Sequence, residues 1–410
     1  MRTLIKFELA KLYKKKMNRI VFWGTCVVMA VLCFMNVQQS WIYDANGNAL
    51  KGNDYVDYVK SNAEDLSGLL TGEKVRETIA EYHEIINNPE NLTEDGEFTD
   101  EMFYQYYLPK SSYLVMIGHN YDEPWIQSYG SNLFEVKPQD GLQFYEQREK
   151  RLLQSLEIGT SDWKYTKAEK EYWIEANKRI ETPFMYGYVG GWDEIIEMIG
   201  FLLIPILSVC IMTATVYAGE YEVNADHIIL TTKYGKSKVI GAKSIAVYIY
   251  GLLFFTINVV LICVTFLGYY GTQGGNLPIQ IMNAEIPYSY SFMQAVIIVI
   301  GIDYMILVAM MTITLFLSAR MKGGLPVLAI MLIILLGALF LRVSEMNGIY
   351  NHIFYLLPYV ALDAGMVDVL SYPFGGIVLN YVEMRYVLYL LLAVVLLPFA
   401  GRAFRRHQVQ

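Results

Sequence analysis

IAVYIYGLLFFTINVVLICVTFLGY, residues 245–269, runs for 25 residues without an Asp, Glu, Lys or Arg. Coiled into a helix rising about 1.5 Å per residue, it is longer than the roughly 30 Å hydrocarbon core of a bilayer. Five further apolar segments reach or approach that length: Ile20 to Val37, Ile195 to Tyr217, Phe292 to Leu317, Leu325 to Leu341 and Tyr386 to Ala400. The pattern predicts an all-α polytopic membrane protein with six transmembrane helices, arranged one plus five.

The basic residues set its orientation, because short connections rich in Lys and Arg stay on the cytoplasmic side. Arg2, Lys6, Lys11, Lys14, Lys15, Lys16 and Arg19 precede the first segment. Lys233, Lys236, Lys238 and Lys243 follow the second, Arg320 and Lys322 separate the fourth from the fifth, and Arg402, Arg405 and Arg406 close the chain. Gly271 to Ser291, between the third and fourth, has no Lys or Arg. Both termini are therefore expected in the cytoplasm of a multi-pass plasma-membrane protein. The expected division is a cytoplasmic amphipathic interface helix at 1–19, a first membrane helix at 20–38 and an extracellular domain at 39–192. Membrane helices two to six occupy 193–410, with a cytoplasmic coupling loop at 218–243 and an outer re-entrant segment at 349–370.

The extracellular domain is long enough to bury its own core. Between Gln39 and Trp192, 27 Asp and Glu stand against 14 Lys and Arg, whereas the whole chain carries 40 against 32. The acidity belongs to this domain, and such a field repels polyanions, so nucleic acid is excluded as a partner. Ser61-Asn62-Ala63-Glu64 and Thr166-Lys167-Ala168-Glu169 both have capping-box form. Val75, Ile79, Tyr82 and Ile86 recur at helical spacing, as do Leu142, Tyr145, Leu152 and Leu156. The domain is thus expected to be mainly helical, with Thr182-Pro183 stopping its last helix. Trp41, Tyr43, Tyr188 and Trp192 suit the membrane interface, where rings with polar tips collect. Its aromatic runs, including Tyr121-Asp122-Glu123-Pro124-Trp125, fit either a core or a ligand surface.

Much chemistry is missing. Cys26, Cys33, Cys210 and Cys263 all lie in apolar segments, so no disulfide framework holds the outside domain and no thiol pair has metal-ligand spacing. His83, His119, His227, His352 and His407 are scattered and point to no metal site. Tyr234-Gly235-Lys236-Ser237 ends like a phosphate-cradling loop, but Leu230 stands where the leading glycine is required. The chain is read as a non-enzyme that binds no cofactor itself.

Two cytoplasmic segments carry more information. Ile5, Leu9 and Leu12 share a face of the N-terminal segment, with Leu4 and Phe7 adding apolar surface, while its lysines suit anionic headgroups or a partner. After the second membrane helix, Ala218-Gly219-Glu220-Tyr221-Glu222 leads through Asp226, His227, Ile228, Ile229 and Leu230 to Lys233, Lys236 and Lys238, and Gly241-Ala242-Lys243 opens the third. Acidic charge at the exit, an apolar motif and a basic return form an elbow that suits insertion into another protein's cleft.

At these residues the chain resembles the permease subunits of ABC exporters of the type-2, or type V, class. That family shows an N-terminal interface helix and a helix-two exit of the form Gly-Glu-x-Glu, followed by an apolar pair, a threonine and a basic return near Gly-Lys. Here Asn224-Ala225 replaces the usual Gly-Thr pair, and Ala242 separates Gly241 from Lys243. The resemblance implies two permease chains, identical or related, and two separate ATPase subunits that hold the ATP and Mg. These would dock on Ile5, Phe7, Leu9 and Leu12 and on the elbow residues Glu220, Tyr221, Glu222, Asp226, His227, Ile228, Ile229 and Leu230. It also implies re-entrant outer helices over Ile349 to Leu370, where Pro358, Asp363, Gly365 and Asp368 make a continuous span unfavourable.

Asp303, near the middle of the fourth apolar segment, must face a partner, water or a cavity, or stay protonated, since a charged carboxylate costs roughly 2.5 to 3.5 kcal/mol there. It is a candidate pathway residue or one end of an interhelical bond. The expected function is the pathway-forming subunit of an ATP-driven exporter in a bacterial plasma membrane. A hydrophobic or amphipathic cargo such as a peptide antibiotic, lipid or drug follows by fold analogy. The alternative is a membrane receptor whose outer domain binds a peptide or cell-envelope ligand.

Overall fold

The structure is a computed structural model that describes residues 1–122, 133–159, 162–232, 234–344, 348–366 and 369–405, with Leu230 and Lys236 described by backbone alone. Glu123 to Trp125, Lys233, Asp368, Arg406 and His407, all singled out in the sequence, lie outside the described residues. Among the described residues, five helices are long and apolar enough to cross a membrane: Lys16–Gln39, Gly190–Glu222, Ser237–Tyr269, Phe292–Ser318 and Tyr381–Arg405. All but the fourth, which starts at Phe292 as expected, begin before their apolar segments, because polar turns at the ends satisfy helical hydrogen bonds that the hydropathy pattern does not count.

The fifth expected span is shorter than the rest. Pro326 enters its first turn, and the α-helix Gly324–Leu336 tightens into a 3-10 turn at Gly337–Phe340 before stopping. The fold is also not purely helical. Among the described residues, three two-stranded antiparallel sheets pair Trp41–Tyr43 with Ala49–Lys51, Gly68–Leu69 with the distant Met185–Tyr186, and Ser371–Phe374 with Ile377–Asn380. Each strand is four residues or fewer, too short for an alternating pattern to be read.

The long helices pack through small and polar residues, as expected where lipid tails supply no hydrophobic drive between helices. Gly251 of the third span lies where a Cβ would meet the Met311 sulfur of the fourth and Val209 of the second. Thr25 and Ser208 share a 2.6 Å hydrogen bond between the first two spans, and Tyr386 Oη donates to the Ile298 carbonyl at 2.7 Å between the fourth and last. Large apolar side chains such as Trp23, Val27, Leu253, Val264, Leu391 and Val394 remain exposed around the bundle, as lipid-facing residues do. The N-terminal helix Arg2–Lys14 and the end of the last span both meet the exit of the second: Phe404 packs on Tyr217, with ring centroids 4.6 Å apart, and Lys11 reaches Glu220. The two ends of the chain therefore lie at the same end of the bundle.

The domain at the other end is built from short helices, chiefly Asn53–Asp65, Gly72–Ile86, Leu108–His119, Phe144–Ile158 and Lys167–Lys178. Thr166 and Glu169 form the expected reciprocal capping box. The Ser61 box is absent, because Ser61 to Glu64 sit inside a helix that begins at Asn53. The cap for the Val75, Ile79 and Tyr82 face is Thr71, whose hydroxyl accepts from the Lys74 amide. Leu142 is half exposed in a 3-10 turn, so the third apolar row starts from Phe144 instead.

Two arginines hold this domain to the connection between the third and fourth spans. Arg148 donates through Nε to the Ala284 carbonyl at 2.5 Å and through Nη2 to the Ile286 carbonyl at 3.0 Å, and also bonds Asn177. Burial pulls its guanidinium down to about 10, with Glu285 opposing, so it stays charged at neutral pH. Arg151 pairs with Glu285. Further along, Tyr165 donates to the Val369 carbonyl at 2.8 Å and Ser371 donates to the Glu169 carboxylate at 3.0 Å, tying the domain to the segment before the last span. Arg148→Ala leaves the Ala284 carbonyl and the Asn177 side-chain oxygen without this donor, while the Ile286 carbonyl keeps Gln280, and a loss of about 2 kcal/mol is expected. Thermal unfolding and proteolysis within Gly271 to Ser291 measure this; an unchanged cleavage rate there would show that the clamp holds nothing.

Candidate functional site: a charge junction beneath an exposed elbow

The helix leaving the second span ends at Glu222, and the chain reverses at Asn224, which takes φ 55°. Asparagine tolerates this left-handed conformation better than most residues, which suits it to the position where the family pattern has glycine. A short helix, Asp226–Thr231, follows, and a π-turn at Gly235–Val239 leads into the third span. Gly235 is packed so closely under the short helix that a Cβ would collide with the Ile229 carbonyl. The elbow is thus a folded element rather than an open loop.

Directly above it, Glu220 is buried and takes two ammonium groups on Oε1: Lys11 of the N-terminal helix at 2.5 Å and Lys243 of the third span at 2.8 Å. Lys243 is 2 % exposed and also reaches Glu8 Oε2 at 3.2 Å. Two carboxylates and two ammoniums from three helices therefore neutralise one another, with Glu220 and Lys243 buried and Lys11 at the solvent edge. Removing one member of such a set leaves an uncompensated buried charge, so the three helices are constrained to move together.

The predicted docking residues separate into two groups. Glu220, Tyr221 and Asp226 are buried, each 8 % exposed or less, and a side chain so enclosed presents no surface to a partner. Tyr221 Oη donates to the Ala319 carbonyl at 3.0 Å, and its ring stacks on Phe404. Glu222 Oε1 accepts the Gly324 amide at 3.0 Å, linking the elbow to the start of the next apolar helix. The other group is open to solvent, and Glu222 belongs to it despite that bond. Ile228 is 71 % exposed at the elbow tip, beside a partly exposed His227, while Ile229 turns back against the core. On the N-terminal helix, Ile5, Leu9 and Leu12 form the half-buried face together with Leu4 and Glu8, and Phe7 points away at 65 % exposure.

Asp303 is fully buried in the fourth span, and neither carboxylate oxygen has a hydrogen-bond partner among the described residues. The cation acting on it is Arg385, equally buried in the last span. Arg385 is directed elsewhere: Nη1 donates to the Ala361 carbonyl at 3.0 Å and the Asp363 carbonyl at 2.5 Å, and Nη2 to the Ala364 carbonyl at 2.9 Å. Its guanidinium lies 4.0 Å from the Tyr381 ring centroid. These carbonyls belong to the expected outer segment, which forms short helices at Gly348–Phe354 and Pro358–Ala361. Gly365 then turns the chain at φ 55°. Sequence reasoning missed Arg385 by starting the last span one residue later; an unpartnered Asp303 was the signal that a buried cation was required.

The family described as ABC-2 family transporter protein matches residues 47–401. No curated protein and no solved structure matches the chain. A match over so much of the sequence, on a bundle of apolar helices with a folded elbow between the second and third, settles the class: the chain belongs to the ABC-2 transporter family and is a membrane permease component of an ABC transporter.

Proposed function

We propose that this permease forms the pathway of an ATP-driven exporter for a hydrophobic or amphipathic substrate, with separate ATPase subunits docking on the elbow around Ile228 and on the exposed Phe7 side of the N-terminal helix. The observation that carries the reading is the placement of Glu220. It lies at the top of the elbow and is bonded to the N-terminal helix and the third span together, so a displacement imposed at Ile228 reaches three helices at once. Nucleotide-driven closure of the ATPases would tilt this unit and switch access from the inner to the outer side. Two such permease chains, identical or related, complete the pathway, and the ATP and Mg are held by the partner subunits.

The short apolar helix supplies the sixth crossing in this account. Its 13 α-helical residues and 4 residues of 3-10 helix span about 28 Å, close to the hydrocarbon thickness. An even number of crossings also agrees with both chain ends meeting the exit of the second span. The Lys-rich end is then cytoplasmic, and the acidic helical domain is extracellular.

Affinity purification from native membranes in mild detergent tests the docking. A nucleotide-binding subunit is expected to follow the intact chain, and Ile228→Glu is expected to lower its recovery at least about tenfold while the permease itself elutes unchanged. Were no ATPase to accompany the intact chain, the receptor reading of the outer domain would take precedence.

A further inference from the structure

A cavity of about 370 Å³ opens beside the charge junction, between the N-terminal helix and the exit of the second span, and Glu8, Lys11, Lys15, Thr215, Glu220 and Lys243 line its polar side. Leu12, Met212, Val216 and Val223 line the rest, so a polar mouth adjoins an apolar wall. The charges do not balance. Lys11 and Lys243 share Glu220, and Lys243 also reaches Glu8. Lys15, by contrast, has no ion pair among the described residues: its ammonium donates to the Thr215 hydroxyl at 2.6 Å. Burial pulls its pKa down, and Lys11 pulls in the same direction against the opposing Glu222. Glu222 is itself engaged with the Gly324 amide.

The position of Lys15 identifies what would neutralise it. It is the extended residue at which the N-terminal helix stops and the first span begins, with φ −62° and ψ 120°. Lys14, Lys16 and Arg19 surround it in sequence, and the exposed Ile20 and Trp23 follow within about two turns on the lipid-facing surface. Headgroup phosphates lie where a basic helix gives way to exposed apolar side chains. We infer that this cleft binds the phosphate of an anionic phospholipid, held by Lys15 and Lys11 over the Thr215 hydroxyl, with the glycerol and upper acyl chain against Leu12, Met212 and Val216. The hydroxyl can turn to donate to a phosphate oxygen, and the single charge of the phosphodiester is matched by the ammonium of Lys15, with Lys11 adding a donor while it stays shared with Glu220.

The assignment is tested by purifying the full chain from bilayers containing equal phosphatidylglycerol and phosphatidylcholine and counting retained lipids by native mass spectrometry. The intact chain should retain phosphatidylglycerol in preference, Lys15→Gln should reduce that retention about fivefold, Lys15→Arg should keep it, and Arg2→Gln, on the same helix but away from the cleft, should leave it unchanged. Circular dichroism of Lys15→Gln separates a lost site from a lost fold, and Thr215→Val, which removes only the hydroxyl, should reduce retention on its own. Inorganic phosphate added before analysis should not displace the lipid; displacement would assign the cleft to a free phosphate and overturn the lipid reading. Equal retention of the two lipids, or retention in Lys15→Gln equal to that of the intact chain, would also overturn it.

Discussion

Glu220→Gln is expected to destabilise the chain by about 3 kcal/mol and to reduce coupled transport more than its stability alone explains. The substitution keeps the side chain's volume but removes the charge that Lys243, 2 % exposed, and Lys11 share. Lys11 is half exposed and can turn to water, whereas the buried Lys243 keeps Glu8 at 3.2 Å as its one counter-charge, with the Val216 carbonyl at 3.5 Å. A companion change separates stability from transmission. Glu220→Leu combined with Lys243→Met replaces the buried pair by apolar groups of similar volume, an exchange that is often neutral or stabilising. Its unfolding temperature should return close to that of the native chain while Lys11 loses its anchor and coupling remains poor. Normal coupling in that double variant would show that packing alone, not the charge junction, carries motion from the elbow to the N-terminal helix.

Arg385→Met is expected to cost about 4 kcal/mol or more, because the carbonyls of Ala361, Asp363 and Ala364 lose their donors and Asp303 loses its facing cation. Asp303→Asn alone should be far milder in stability, since it exchanges a buried carboxylate without a hydrogen-bond partner for a neutral amide. Coupling between the two sites should appear in a double-mutant cycle as an interaction of about 1 to 2 kcal/mol, with Asp303→Asn recovering part of what Arg385→Met loses. Hydrogen exchange at Pro358–Ala361 gives the local reading: protection there should fall in Arg385→Met and hold in Asp303→Asn. Strict additivity would mean that Asp303 and Arg385 serve the bundle separately. If Asp303 serves the pathway, Asp303→Asn should lower transport while the complex still assembles, and unchanged transport would remove it from the pathway.

These expectations depend on features of unequal visibility in the sequence. The long spans were legible because a run such as Ile245 to Tyr269 must satisfy every backbone group within itself to lie in lipid, and only a helix does so. The helix Gly324–Phe340 was harder to place: its composition is that of a span, but its length depends on where the 3-10 turn ends it. The short strand pairs were invisible because two to four residues carry no periodicity. At the candidate site, the elbow could be located from its pattern of acidic exit, apolar motif and basic return. Its division into a buried junction and an exposed tip could not, because Glu220 and Lys243 meet across 23 residues and Lys11 across 209. Charges that look solvated in a linear reading become buried when helices from distant parts of the chain converge on them. Arg385 escaped for a related reason: an arginine at the edge of an apolar segment reads as a flank until the fold brings Asp303 opposite it.

Force from a nucleotide-binding subunit is expected to enter at the elbow, and a photo-crosslinking residue placed at Ile228 in native membranes shows whether it does. The same probe at Phe7 should capture the same partner, and at Trp23, which is exposed on the first span, it should capture lipid. The account predicts an ATPase adduct from positions 228 and 7 whose yield changes with bound nucleotide. An Ile228 probe that captures only lipid or this chain's own residues, while the ATPase is present in the same membrane, would contradict it.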